Sequence, residues 1–256
     1  MRKYTASILI LAFVATSAVA VGQEDFDQFK VPPQKPGTRP AENIALGAKY
    51  TLEPASNYEH CTDPGDLEQL TDGLYSEGYF WVQKSTVGWK NKSHIVVTLD
   101  LGNVKPVRGA SFHTAAGRAG VVWPLAIYIF VAGEDKQFHE AGELVALSAQ
   151  NGLPGVEEYG THRYWTDELR THGRYISFVI AAKPYAFVDE LEVYAGEPAW
   201  LDIPLEGKSI TDIKGHMADL QLRESIMRRL RNDIDAVRQA AGARGVSQHA
   251  RANVLG

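Results

Sequence analysis

Between residues 95 and 194 the chain is a series of short β-rich runs, separated by clusters of Gly, Asn, Asp and Pro, with no long helical periodicity between them. The runs fall at 95–101, 107–113, 125–132, 175–181 and 186–194. Val97, Leu99 and Leu101 alternate with Val96, Thr98 and Asp100, the period of two expected of a half-buried strand. Ile127, Tyr128, Ile129, Phe130 and Val131 form an unbroken apolar run, which predicts a strand covered on both faces. Many short strands joined by turn-rich connections restrict the chain to an all-β architecture, a β-sandwich of the jelly-roll kind.

The flanks follow different rules. Arg2 and Lys3 precede an apolar run and the small residues Ala18, Val19 and Ala20, the layout of a secretory signal over residues 1–20. That run is too short for the roughly 20 apolar residues of a transmembrane helix, and no later run is long enough to anchor the chain. The protein is therefore expected to be exported to a periplasmic, extracellular or cell-surface location. Residues 21–42 carry Pro32, Pro33, Pro36 and Pro40 and read as an extended linker that buries nothing. After the sandwich, expected over 43–197, a connector at 198–208 leads to a helical extension at 209–256. There Ile210, Ile213, Met217 and Leu220 recur at helical spacing, and Ile226, Leu230, Ile234, Val237 and Ala241 continue after a phase shift. Arg228, Arg229, Arg231 and Arg238 lie mainly off that stripe, interspersed with Asp233 and Asp235, as on a solvated face.

Composition narrows function. A net charge of -5 gives no basic field for a phosphate backbone, so nucleic acid is not an expected partner. The single cysteine, Cys61, can form neither an intramolecular disulfide nor a multi-thiolate zinc site, and reads as a small packed hydrophobe. No G-x-S-x-G elbow, H-E-x-x-H helix or G-x-x-x-x-G-K-[ST] loop occurs. Adjacent carboxylates such as Asp189 and Glu190 point to opposite faces of an extended strand, which is the wrong arrangement for a glycosidase acid and nucleophile. A non-enzyme is expected.

Asn43-Ile44-Ala45-Leu46-Gly47, then Leu70-Thr71-Asp72-Gly73, then Thr98-Leu99-Asp100-Leu101-Gly102 and finally Glu190-Leu191-Glu192-Val193-Tyr194 occur in this order. In that ordered set the chain resembles the coagulation factor 5/8 type C family, the discoidin-like and galactose-binding-like jelly-roll modules that include carbohydrate-binding modules. The resemblance implies a structural calcium ion between the early loop and the last strand. Asp72 and Glu190 would supply carboxylates, and Gln69, Leu74 and Asp189 backbone carbonyls, a hard-oxygen set suited to Ca²⁺. Glu77, where many members carry Thr, would add its carboxylate or carbonyl. A plain β-turn at Asp72-Gly73 with a solvated Glu190 is the alternative. Trp81 also arrives later after the Asp-Gly turn than the family pattern places its Trp.

The resemblance further implies a glycan or polysaccharide ligand held by loops at one end of the sandwich. A sugar stacks its C–H face on an aromatic ring and needs fixed polar partners for its hydroxyls. Arg118 is the first candidate and His113 the second, with Tyr79, Trp81, Trp123, Tyr164 and Trp165 as aromatic walls. Trp123 is as well suited to rim packing, and Trp89 and Trp200 are assigned to packing. Such a module would be the targeting part of a polysaccharide-degrading system, or the accessory portion of a larger glycan-active enzyme. The alternative is a protein-interaction adaptor that docks a partner and self-associates through its C-terminal helix.

Overall fold

A computed structural model of the chain describes residues 38–252, apart from 93, 156 and 157. The predicted secretory signal and nearly all of the predicted linker lie outside the described residues. In chain order the strands are β1 (Lys49–Glu53), β2 (Val87–Lys90), β3 (Ile95–Ala116), β4 (Ala126–Ala132) and β5 (Phe138–Glu143), then helix α1 (Leu144–Ser148). There follow β6 (Gly160–Thr166), β7 (Thr171–Ala181), β8 (Tyr185–Val188), β9 (Glu190–Ala195) and helix α2 (Ile213–Ala252).

β3 organises the fold. The separate runs expected at 95–101 and 107–113 are one strand, whose first half pairs with β1 and β7 and whose second half pairs with β6 and β9. Its register shifts between Asp100 and Lys105 and again between Val107 and Gly109. Such irregularities bend a strand and let it cross from one layer to the next. One layer is then β1-β3-β7-β4-β5, and the other is built on the far half of β3 with β6 and β9 on either side, beside the β2–β8 ribbon. All pairings are antiparallel. Ile95, Val97, Leu99, Ile127, Ile129, Ile176 and Phe178 from the first layer meet Phe112, Tyr164, Leu191 and Val193 from the second in one buried cluster. The jelly-roll β-sandwich expected from the sequence is the observed architecture.

The ends of the domain are locked by side-chain to backbone bonds. Asn43 Oδ1 accepts the amides of Ala45 and Val193 at 3.0 and 3.2 Å, and the Ile44 amide donates to Val193 O at 2.8 Å. The opening Asn-Ile-Ala segment is thus stitched to the last strand 150 residues away. The predicted linker ends sooner than residue 42. Arg39 donates to the buried Glu192 carboxylate, Thr38 O accepts from Arg163 at 3.1 Å, and Glu42 O accepts the Ala195 amide at 2.9 Å. Buried polar groups in the sandwich require these partners, and that requirement overrides the local preference for a free extended chain.

The run at 127–131 is covered on both faces, as expected, and the second cover is α2. Ile213 and Met217 pack with Val96, Phe130, Ala132, Phe138 and Val179 on the outer face of the first layer. Asp212 Oδ1 accepts the Gly215 amide at 2.9 Å and so caps the helix start, while Lys214 reaches Glu53 at 2.6 Å. The two apolar side chains contribute about 1.5–3 kcal/mol each through burial. Beyond them the helix carries Leu222, Ile226, Met227, Leu230, Ile234 and Val237 exposed. Among the described residues no helix is long and apolar enough to cross a membrane.

Candidate functional site

The early loop is built to lie on the last strand. Tyr50 of β1 donates its hydroxyl to Asp66 O at 2.7 Å and accepts the Leu70 amide at 3.1 Å, which holds the turns at Pro64–Leu67 and Gln69–Thr71 against the sandwich. Thr71 Oγ1 donates to Ala48 O at 2.9 Å, and Asp72 Oδ1 accepts the Leu74 amide at 2.8 Å. Gly73 takes φ of +81°, a left-handed turn that favours glycine, and the loop then runs across β9. The Gly73 amide donates to Glu190 Oε2 at 3.1 Å, the Tyr75 hydroxyl to Glu192 Oε1 at 3.0 Å, and the Ser76 amide to Asp189 Oδ2 at 2.7 Å.

Three carboxylates at the start of β9 are fully buried, and each is treated differently. Glu192 accepts from Tyr75, from Ser111 at 3.1 Å, from Tyr194 at 2.7 Å and from Arg39. Burial pushes its pKa up, but the Tyr194 hydroxyl and the Arg39 guanidinium outweigh that and hold it below the ordinary carboxylate value. Asp189 pairs with His113 Nδ1 at 2.7 Å as well as with Ser76. Among the described residues Glu190 has only the Gly73 bond, and its Oε1 is buried with no hydrogen-bond partner there. Burial, followed by the negative charges of Asp72, Glu192 and Asp189, pushes Glu190 up to about 9 even though the Gly73 amide lowers it. Asp72, on the solvent side of the loop, is also raised, by partial desolvation first and then by Asp189.

The expected calcium set is therefore partly gathered. Asp72, Asp189 and Glu190 are close enough to interact where the loop crosses the strand, the Glu77 side chain is exposed, and Leu74, expected to offer its carbonyl, has its side chain in solvent. Gln69, half-buried, donates its side chain to Asp66 at 3.2 Å. Among the described residues no three His, Cys, Asp or Glu side chains surround one point. A cation here would take two carboxylates and most of its oxygens from carbonyls. That is a donor set Ca²⁺ accepts, and the bare Glu190 oxygen fits it.

The sugar-wall expectation is corrected in part. Tyr79, Trp81 and Tyr164 are buried, at 7%, 6% and 2% exposure, so none offers an open ring face for stacking. Tyr79 and Trp81 stack with centroids 5.2 Å apart, and Tyr159 meets both edge-on. Together with Phe80, Phe187, Ala115 and Val121 they form a second apolar cluster. The extra residues between the Asp-Gly turn and Trp81 fold inward because the outer face of the second layer needs a cover. Tyr164 belongs to the central core. His113 is 4% exposed, paired to Asp189 and flanked edge-on by Tyr75 and Phe80, so it is a structural group with no open face for a hydroxyl.

Arg118, Trp123 and Trp165 remain at the surface, with Trp165 apart from the other two. Arg118 is exposed on the turn that leaves β3, where Gly117, Ala119 and Gly120 all have positive φ. A Cβ on Gly117 would stand 2.0 Å from Glu158 O, so only glycine lets this turn lie against the neighbouring loop. Trp123 is half-buried, donates Nε1 to Gly155 O at 2.7 Å and meets His162 edge-on. Trp165 is half-buried under Arg163, 5.6 Å from guanidinium carbon to ring. It pairs with Ser111, whereas the Arg118 turn begins beyond the Ala116–Gly160 pair, roughly 17 Å along the strand. Trp89 and Trp200 are buried, as expected. Cys61 is fully buried, and burial pushes its thiol up to about 11, which suits an inert packed group. A cavity of about 510 Å³ between β5, the start of β7 and the connector is lined by His139, Arg170, His172 and Leu205, among others, and by none of the expected site residues.

Sequence reasoning passed over Tyr75, Ser111, Tyr159, Glu192 and Arg39. Glu192 was accessible from the period of two, which places it on the same face of β9 as Glu190. The others join the site through loop packing and long-range pairing, for which no local pattern exists.

No protein-family model matches the chain, and no curated protein matches it in sequence. Several solved structures are similar to it. CpGH89CBM32-6 produced by Clostridium perfringens aligns at 15% identity over 60% of this chain and 100% of its own, with a TM-score of 0.39. The lectin domain of lectinolysin, solved with Lewis B antigen, aligns at 16% identity over 61% and 98%, with a TM-score of 0.41. A Streptococcus pneumoniae fucose-binding module aligns at 14% identity over 63% and 100%, also with a TM-score of 0.41.

Proposed function

We propose that this chain is an exported, non-catalytic glycan-binding module whose sugar seat is the loop end formed by the Arg118 turn, Trp123 and the neighbouring residues 152–155. The observation that carries the reading is the Arg118 turn itself. It is an exposed arginine on a glycine-shaped turn whose flanking Ala116 and Val121 are seated in the packed Tyr79 and Trp81 cluster, against which the half-buried Trp123 also packs. A guanidinium presents several donors in a fixed plane to sugar hydroxyls, and a rigid apolar bed lowers the ordering cost of binding. Calcium belongs to the same reading as a structural ion, with Asp72 and Glu190 supplying carboxylates and neighbouring carbonyls the remaining oxygens. It would hold the early loop on β9 and take no part in bond chemistry. Such a module would direct a polysaccharide-degrading system to its substrate.

Isothermal titration against a panel of plant, algal and host polysaccharides tests the seat. Saturable binding that is lost in Arg118→Ala and weakened in Trp123→Ala, with the β-sheet circular dichroism unchanged, supports it. Absence of saturable binding by the folded, calcium-loaded chain overturns it.

A further inference from the structure

Helix α2 changes partners along its length. Among the described side chains its contacts to the sandwich come from Ile213, Lys214, His216 and Met217, all within its first two turns. From Met217 to Ile234 the helix advances about 26 Å. Along that reach Met227, Leu230, Ile234 and Val237 are 53%, 49%, 50% and 68% exposed. Met227, Leu230, Ile234, Val237 and Ala241 are separated by three, four, three and four residues, an uninterrupted a/d repeat. At 100° per residue this stripe is turned by roughly 100° about the helix axis from the face that holds Ile213 and Met217. The sandwich therefore covers one face of the helix near its start, and the seam lies about a quarter turn round from it, on the length beyond those contacts.

We propose that residues 227–241 form a parallel, two-stranded coiled coil with the same segment of a second copy of this chain. The flanking charges select that occupant and that orientation. In the a/d register Arg231 and Arg238 take e positions and Asp233 takes the g position between them. In a parallel pair a g residue faces the e residue five positions on in the partner helix, so Asp233 of each copy meets Arg238 of the other. An antiparallel pair sets e against e and brings the arginines together, which like-charge repulsion disfavours. Ile234 at an a position beside Leu230 at a d position is also the arrangement that suits two parallel strands. Two sandwiches would then be presented side by side from one stalk, giving two copies of whatever surface the sandwich uses to bind.

Sedimentation velocity of the full chain over a range of concentrations tests this. A monomer–dimer equilibrium is expected, shifted wholly to monomer by Leu230→Asp and unchanged by Leu222→Asp, which lies off the seam. Asp233→Arg alone and Arg238→Asp alone should each weaken the dimer, and the two together should restore it. Val237→Cys should cross-link to its own copy on mild oxidation, with the buried Cys61 silent in the parent chain. A chain that stays monomeric throughout, a dimer indifferent to Leu230→Asp, or charge variants that fail to rescue each other overturns the proposal.

Discussion

The Gly73 amide donates to Glu190 Oε2 at 3.1 Å, joining residues 117 apart in the chain, while Glu190 Oε1 stays buried without a partner among the described residues. A buried carboxylate with half its acceptors unused is costly unless a cation or proton meets it. With calcium as that cation, added Ca²⁺ should raise the thermal unfolding midpoint and chelation should lower it. Glu190→Gln should remove the calcium dependence while leaving a folded sandwich. Differential scanning calorimetry with and without chelator checks this, and a midpoint indifferent to calcium would remove the ion from the proposed function.

Glu192 is the opposite case, a buried charge with its donors in place. Glu192→Ala would leave Tyr75, Ser111 and Tyr194 hydroxyls and the Arg39 guanidinium without their shared acceptor. Breaking a buried ionic group in this way costs about 3–5 kcal/mol. Arg39→Ala should cost less, because the buried Glu192 carboxylate keeps the Tyr75, Ser111 and Tyr194 hydroxyls as donors and has the Arg163 guanidinium 3.9 Å away. Urea unfolding of both variants measures the difference, and equal losses would contradict this account of the network.

Trp81→Ala and Arg118→Ala should separate stability from binding. Trp81 is 6% exposed within an aromatic cluster, and truncating such a residue costs about 3–5 kcal/mol. Arg118→Ala, on an exposed turn, should fall within about 0.5 kcal/mol of the parent. Chemical denaturation measured alongside sugar titration reads both properties from the same samples. A Trp81→Ala protein of parental stability would place that ring at the surface after all.

His162 gives a pH dependence of known sign. Burial first, and then the neighbouring His113, hold its pKa below the ordinary value of 6.5, and its Nε2 is buried without a partner. The folded state keeps the ring neutral while the unfolded chain takes up a proton below about pH 6.5. Its contribution to stability is therefore fully present above that pH and declines as the pH falls through it. His162→Gln should flatten the unfolding midpoint between pH 7 and pH 5 relative to the parent. An unchanged slope would show that other groups set it.

What the sequence by itself determined was what local patterns encode. Alternation at 95–101 and the apolar run at 127–131 marked core strands, because strand side chains alternate between faces and burial acts on one face at a time. The turn glycine at 73 and the spacing of Ile213 and Met217 were legible for similar reasons, since each reflects a backbone preference or a repeat within a few residues. Only the tertiary structure decided that β3 is one bent strand shared by two layers, since a register shift is set by partners distant in sequence. It likewise decided which aromatics are exposed. Tyr79, Trp81 and Tyr164 look like Trp123 in a linear chain, yet the outer face of the second layer and the core take the first three and leave Trp123 at the rim. The same holds for the carboxylates. Asp189, Glu190 and Glu192 are near neighbours of the same chemistry, and their roles diverge because each meets a different set of donors brought in from elsewhere in the chain.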